Sequence, residues 1–465
     1  MKREFDRLYD RIYQRMEFHP LIMDLLDCPG LLRLRDVRMA NNQFYAFPAF
    51  ANSSRYEHSL GVCYLAGICA DNIGLFEKDK LELMIAALYH DVGTPPFAHA
   101  MEEVLQAEYG FDHERNLSNL IIGNTGEFDQ DFAQVYLGQS LKLKSVCQSK
   151  KARTLGIDPH RIAKIAVGDK TDELAPLING SEMDLDNIDN ICRAVSAMGI
   201  LADKIDYANF AKKLAFSFVL DNGHVYYNAK YFEEINQWLK MRDIQYSEIY
   251  RSVDDFSYQA MIKKAIHLLG EEEDGLSLHK NLWRMTDSEF TYQYLLRHSK
   301  SKPLMERVLL CKPYPPLVLL YVRGAGVNKY INSHIRTLEE EVSRYLSDAI
   351  GLERYATRDL VLANYYPDKR RRWIPEGRWY GSGSHAESGS AITEGAILGL
   401  FTPAKVVGYA TDSKKKRSLH RFDRSSVSGL IQEIQRLLSG FEVMEYEEEN
   451  RRRYSAGDGE NQLGF

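Results

Sequence analysis

The chain has 465 residues, 45% of them hydrophobic and 27% charged, with a formal net charge of −6. That is the make-up of an ordinary soluble protein with room for two to four domains, and its acidic balance argues against a general nucleic-acid coat, whose binders are basic. There is no run of 18 apolar residues, no signal-type apolar stretch in MKREFDRLYDRIYQRMEF and no CxxC pair among the six cysteines, so a cytoplasmic, reduced, non-membrane protein is expected.

Residues 1–50 read as a helical or mixed N-terminal segment, broken at Pro29-Gly30 and ending in the irregular, aromatic ANNQFYAFPAF. In RYEHSLGVCYLAGICADNIGL, Leu60, Tyr64, Leu65, Ile68 and Cys69 recur at steps of three to five, which predicts a helix from Arg55. Leu81, Met84, Ile85 and Leu88 predict a second helix over 77–90, and HAMEEVLQAEYG a third, from His99 to a glycine cap at Gly110. FDHERN opens a further helical run. Short helices separated by Gly156 and Pro159 are expected over 131–180, and an apolar helix with Ile188, Ile191, Cys192 and Val195 follows the acidic cluster Asp184, Asp186 and Asp189. Asp221-Asn222-Gly223 predicts a hairpin turn. Further helices follow to about residue 310.

Beyond about residue 314 the texture changes. PPLVLLYVRG, KVVGYAT and FEVMEYEEE read as strands, and HIRTLEEEVSRYLSDAIGL and SVSGLIQEIQRLLSG as helices. YPDKRRRW, YGSGSHAESGS and TDSKKKRSLHRFDRSS read as basic or small-residue loops. The expected organisation is an N-terminal segment over 1–50, a mainly α-helical core over 51–310 and a C-terminal α+β appendage over 311–465.

The stretch that organises the rest is LYHDVGTPPFAHAME, from Leu88 to Glu102. Adjacent His90 and Asp91 end an apolar helix, where side chains one residue apart point about 100° from each other. Gly93, Pro95 and Pro96 break the chain there. Ionisable groups after an apolar run, at a backbone break, make a candidate ligand site. Two antiparallel helices would bring His58 beside this pair. His99 and Glu102, three apart, share a helix face.

The order of these pieces (a histidine near one helix start, His-Asp at the next helix end, an aspartate in a later acidic helix start) resembles the HD-domain phosphohydrolases. The resemblance is greatest to their deoxynucleoside-triphosphate triphosphohydrolase branch, and it covers roughly residues 45–270. It implies a mainly α-helical HD-domain core with a metal held by His58 in RYEHSLGV, His90 and Asp91 in YHDVG, and Asp186 in MDLDNID. It also implies phosphate contact by Arg55 and a reacting centre served by His99 and Glu102 from PFAHAME and by His113 from FDHE. Tyr250, ending EINQWLKMRDIQYSEIY, would lie by the sugar.

This chain departs from that branch at Thr94, where an inner histidine is usual, and in DLDNIDNICRA. There Asn187 and Asn190 replace a basic residue and a tyrosine, and Ala194 an aspartate. Thr94, Asn187 and Asn190 thus become candidate substrate-wall residues beside Arg55 and Tyr250. Two imidazoles and two carboxylates suit one divalent transition metal (Fe, Mn, Zn, Co or Ni). His113 supported by Glu102, with His99 and Asp91, carries the expected proton chemistry. The implied function is hydrolysis of a nucleotide, with water attacking phosphorus of a (deoxy)nucleoside triphosphate. The alternatives are a nucleotide phosphomonoesterase or nucleic-acid phosphodiesterase, and a nucleotide-binding regulator with a retained metal. A homo-oligomer is expected from the resemblance, and contact with nucleic acid only through the basic runs 369–372 and 414–417.

Overall fold

The computed structural model describes residues 7–40, 47–123, 150–201, 205–272, 283–350, 361–367, 374–381, 394–403 and 424–446. The chain forms two compact units: Met1–Tyr246 with Ala265–Pro303 and Arg371–Ser388, and Ser247–Lys264 with Leu304–Arg370 and Gly389–Phe465. The α-helical core and the C-terminal α+β region expected from the sequence are both present. Among the described residues, no helix is long and apolar enough to cross a membrane.

The first unit starts with a hairpin, β1 (Arg7–Asp10) and β2 (Gln14–Glu17). Two short helices, Pro20–Leu25 and Pro29–Arg33, follow, each with proline in its first turn, where the missing N–H costs nothing. Helix α1 (Arg55–Asn72) then runs through the centre. Its start is set by a capping box in which Ser54 and Glu57 satisfy each other's backbone amides. Val62, Cys63, Leu65, Ala66, Cys69 and Ala70 are all fully buried, so most of the helix circumference faces protein. α2 (Glu77–Tyr89) lies against it, and from Leu81 to Tyr89 every residue is buried.

The remaining helices close around this pair. α3 (His99–Tyr109) ends at Gly110, φ 67°, and α4 (His113–Ile122) at Gly123, φ 72°, both left-handed caps. α5 (Pro159–Ala166) packs on α2 and α4. α6 (Leu185–Met198), capped by the Asp184 side chain, packs on α1. α7 (Tyr207–Ala215) and α8 (Phe232–Gln245) cover α6. Between them β3 (Phe218–Asp221) and β4 (His224–Asn228) form the expected hairpin, with Asn222 and Gly223 both at positive φ, 49° and 75°. Its register is set by the two residue types that tolerate a primed turn.

The second unit contains β5 (Pro316–Arg323), α9 (Val327–Ile350), β6 (Leu362–Pro367), β8 (Gly395–Phe401), α10 (Arg424–Leu437) and β9 (Glu442–Glu445). β7 (Trp379–Tyr380) instead joins β4 in the first unit, in parallel. The sheet order is β6-β8-β5-β9, antiparallel throughout. Two β-α-β crossovers, each split by a strand of the other, give a ferredoxin-like topology. Leu320, Val322, Ala363, Leu398 and Leu400 face Val342, Leu346, Leu430 and Ile434 of the helices. The β6 edge is closed by buried Glu339 of α9, which accepts from the Ala363 amide at 2.9 Å.

The strands expected in PPLVLLYVRG and FEVMEYEEE are β5 and β9. KVVGYAT, most of the three basic or small-residue loops, Cys147 and residues 131–149 lie outside the described residues. β6 and β8 were not anticipated. LANYYP carries proline and polar residues, and GAILGLF is flanked by small residues that read as loop.

Leu65→Ala is expected to cost about 2–5 kcal/mol, as for a large-to-small change in a packed core. Ser54→Ala is expected to cost about 1 kcal/mol, the loss of one cap. Urea unfolding of both variants beside the parent measures the difference.

Candidate metal centre

Three helix ends build the centre. The first turn of α1 carries Arg55 and His58, the end of α2 presents His90 and Asp91, and the first turn of α6 carries Asp186. Because α1 packs against both α2 and α6, these turns meet.

The ring nitrogens are sorted by their partners. His90 Nδ1 lies 2.8 Å from the carbonyl of Ala87, which only accepts, so Nδ1 carries the hydrogen and Nε2 the lone pair. His58 Nδ1 donates to the Asp189 carboxylate at 2.7 Å, again leaving Nε2 to face inward. The two Nε2 atoms are 3.3 Å apart, and Asp186 Oδ1 is 2.8 Å from that of His58 and 3.8 Å from that of His90. Imidazole nitrogens about 2.0–2.1 Å from one transition metal stand about 3–3.4 Å apart, depending on the coordination angle. His58, His90 and Asp186 form a cluster able to hold a single divalent ion.

Asp91 lies beside this cluster. Its Oδ1 accepts from Arg55 Nη1 at 2.7 Å and from the Thr94 hydroxyl at 3.2 Å. Its Oδ2 is buried and, among the described residues, has no hydrogen-bond partner; it lies 3.6 Å from His90 Nε2 and 4.0 Å from His58 Nε2. A buried carboxylate oxygen is expensive to leave unpaired, and a cation shared with the imidazoles would satisfy it. Burial alone would raise the Asp91 carboxyl, but Arg55 and the two imidazoles outweigh it and hold the group well below the usual range. Burial likewise disfavours a charged His58, yet its bonds to Asp186 and Asp189 push the ring up to about 9. The centre therefore attracts positive charge, as a proton or as a metal.

Thr94 is buried, with its hydroxyl 3.3 Å from His113 Nε2. Glu102 joins His99 Nδ1 at 2.8 Å and stands 3.9 Å from His113 Nε2. Burial opposes ionisation of Glu102, but His99, His113 and Arg55 bring it down to about 2. The His99 side chain is 76% exposed. Asn187 gives its amide nitrogen to both oxygens of Asp184, at 2.8 and 2.9 Å. Asn190 accepts from Gln245 at 3.1 Å. Tyr250 belongs to the second unit, where its ring stacks on Tyr366 at 6.0 Å.

Residues that the sequence reading did not assign hold the site in shape. Asp189 orients His58 and is gripped by Arg193 through Nε at 3.0 Å and Nη2 at 2.9 Å. The spacing was a signal: Asp189 is one helical step from Asp186, and Arg193 lies at i+4. Fully buried Arg33 donates to the carbonyls of Val92, Thr94 and Met285. After Pro96 the chain passes through two left-handed non-glycine residues, Phe97 (φ 56°) and Ala98 (φ 44°), before α3 begins. Such conformations cost about 1–3 kcal/mol each and persist where the surroundings enforce them. Asp287 does so, accepting from the Phe97 amide and the Arg38 amide, each at 2.9 Å.

The HD-domain family model matches residues 55–145. That match, with the cluster of two buried histidines and the half-buried Asp186, supports classing the chain with the HD-superfamily phosphohydrolases. The cattle (Bos taurus) deoxynucleoside triphosphate triphosphohydrolase SAMHD1 is 40% identical over 100 residues, 20% of this chain and 17% of that protein. A SAMHD1 homolog of Dictyostelium discoideum is 36% identical over 137 residues, 26% of each. This chain thus covers about a sixth to a quarter of the length of these relatives, and the similarity is distant. A crystal structure of a hypothetical protein from Aquifex aeolicus shares the fold with a TM-score of 0.62 and 18% identity, over 86% of this chain and 97% of that one.

Burial pushes the Asp287 carboxyl up to about 6 against its two backbone amides, whereas an ordinary aspartate titrates at 3.8. Between those values the folded state holds the proton that the unfolded chain has released. The stability contributed by this group therefore falls as pH rises from about 4 to about 6. Relative to Asp287→Asn, the parent should lose stability across that window and hold a constant difference above it, in urea titrations at stepped pH.

Proposed function

We propose that the chain is a metal-dependent phosphohydrolase acting on nucleotides, with a (deoxy)nucleoside triphosphate as substrate. The observation that carries this reading is the convergence of two imidazole lone pairs and an aspartate oxygen beside a buried, unpaired carboxylate oxygen. His58, His90, Asp91 and Asp186 would hold one divalent transition ion, and the mixed nitrogen–oxygen donor set suits Fe, Mn, Zn, Co or Ni. When bound, such an ion supplies Lewis acidity toward a phosphoryl oxygen and lowers the pKa of water.

The side chains around it divide the remaining work. Arg55 is fixed by Asp91, and its buried Nε has no partner among the described residues, which leaves a donor for a phosphate oxygen. The Thr94 hydroxyl has one hydrogen. If Asp91 Oδ1 takes it, the oxygen offers only a lone pair to His113, and the imidazole must carry its proton on Nε2. Glu102, ionised and 3.9 Å away, favours the same placement. His113 is then the general acid. Water attack at the α-phosphorus forms the new P–O bond as the bond to the 5′ oxygen breaks. That oxygen leaves with the His113 proton, giving nucleoside and triphosphate. The proton lost by the attacking water goes to solvent, from which His113 is re-protonated. His99 keeps Glu102 ionised and aimed. Asn187, its nitrogen committed to Asp184, has an oxygen left for substrate, and Asn190 has its nitrogen left. Tyr250 is assigned to the sugar by the resemblance alone.

Protein loaded with each of the five metals, given a panel of nucleoside mono-, di- and triphosphates and single-stranded RNA and DNA, should release intact triphosphate from the triphosphates. Inorganic phosphate instead would favour a phosphomonoesterase, cut single strands a phosphodiesterase, and tight binding without turnover a regulator. No hydrolysis with any metal would sink the enzymatic reading. Asp186→Ala should lose metal and turnover together. Thr94→Val, which keeps the shape and removes the hydroxyl, should retain metal but lower kcat by about 10–100-fold, part of what a placed acid contributes.

A further inference from the structure

We infer that Tyr13, in the turn of the N-terminal hairpin, is a positioning residue of the metal centre, holding the His58 ring in place through Asp189. The inference rests on the metal reading above and deepens it.

Asp189 is fully buried and all its acceptor capacity is used. Oδ1 takes the Tyr13 hydroxyl at 2.8 Å and Arg193 Nη2 at 2.9 Å, while Oδ2 takes His58 Nδ1 at 2.7 Å and Arg193 Nε at 3.0 Å. The carboxylate plane is set by these four bonds, and with it the direction in which His58 presents Nε2. Tyr13 lies 176 residues away in sequence and, among the described residues, supplies the one bond to Asp189 that comes from outside α1 and α6.

The hairpin is built to deliver that hydroxyl. Asp10 Oδ1 accepts from the amides of Ile12 and Tyr13, at 2.7 and 3.0 Å, and so folds the turn. Its Oδ2 accepts from Arg193 Nη1 at 2.9 Å, tying the same turn to the arginine that grips Asp189. The Tyr13 ring packs against Tyr64 of α1 at 5.3 Å between centroids, which places it independently of the hydroxyl. Burial, with Asp189 adding to it, keeps the phenol protonated and a donor. Room for the arrangement comes from Gly61 on α1, where a Cβ would stand 2.0 Å from Asp189 Oδ1 and 2.7 Å from Arg193 Nη2.

Tyr13→Phe in the full chain removes only the hydroxyl. Metal affinity is read by chelator competition with Mn²⁺ and with Co²⁺, and the visible spectrum of the Co²⁺ form reports the ligand field. Loss of one outer hydrogen bond should weaken both ions by about 10–100-fold and shift the Co²⁺ bands. Asp10→Asn should do the same to a lesser degree. Tyr64→Phe, altered in the same aromatic cluster but outside the hydrogen-bond network, should match the parent. A Tyr13→Phe protein with parental affinity for both ions and an unchanged Co²⁺ spectrum would overturn the inference. A parent chain that binds neither ion would overturn the metal reading itself.

Discussion

The centre depends on one electrostatic constraint. Two imidazole rings have their hydrogens taken on the far side, by a carbonyl and by a carboxylate, so two lone pairs point at each other across 3.3 Å inside a helical core. Two carboxylates, Asp91 and Asp186, crowd the same point. Without added positive charge this arrangement is repulsive, and burial makes it more so. The unpaired Asp91 oxygen and the raised affinity of His58 for a proton are two expressions of the same deficit. Arg55 and Arg193 reduce it without entering the point of convergence, since Arg55 is bonded to Asp91 Oδ1 and Arg193 to Asp189, on the Nδ1 side of the His58 ring.

Holding such a cluster requires rigid surroundings, and they come from distant parts of the chain. Arg33 satisfies the carbonyls left open where α2 ends, and Asp287 fixes the left-handed pair that redirects the chain into α3. The result is that His99 and Glu102 start a new helix directly after the metal turn, with Glu102 directed at both His99 and His113. Strain at Phe97 and Ala98 is sustained because the anchoring groups are themselves buried and bonded.

The second unit is a separate physical solution. Its sheet is sequestered by α9 and α10 on one face, and Phe256 packs near Gly399 on the other. Strand β8 is buried along its whole length. A ferredoxin-like topology hosts many unrelated activities, so topology alone assigns none to this unit.

Much of the site was legible in the amino-acid sequence because its chemistry is written locally. Ser54 and Glu57 mark the start of α1, the apolar period carries α2 to His90, and glycines and prolines punctuate the turn between Asp91 and His99. Each of these signals acts within one helical turn. Adjacent His90 and Asp91 at a backbone break mark a candidate ligand site in the sequence itself, and the resemblance to the HD-domain phosphohydrolases adds His58 and Asp186 to it. What only the tertiary structure decided is everything set by separation in space rather than in sequence. Tyr13 meets Asp189, Arg33 meets Thr94, Asp287 meets Phe97, and Thr94 stands between Asp91 and His113. The same holds for β6 and β8, whose pairing is specified by partners across the sheet and by the helix that closes its edge. Hydrogen bonds between residues far apart in the chain leave no periodic trace in it. They exist only once helix packing has brought buried donors and acceptors together, where each must find a partner or pay its desolvation in full.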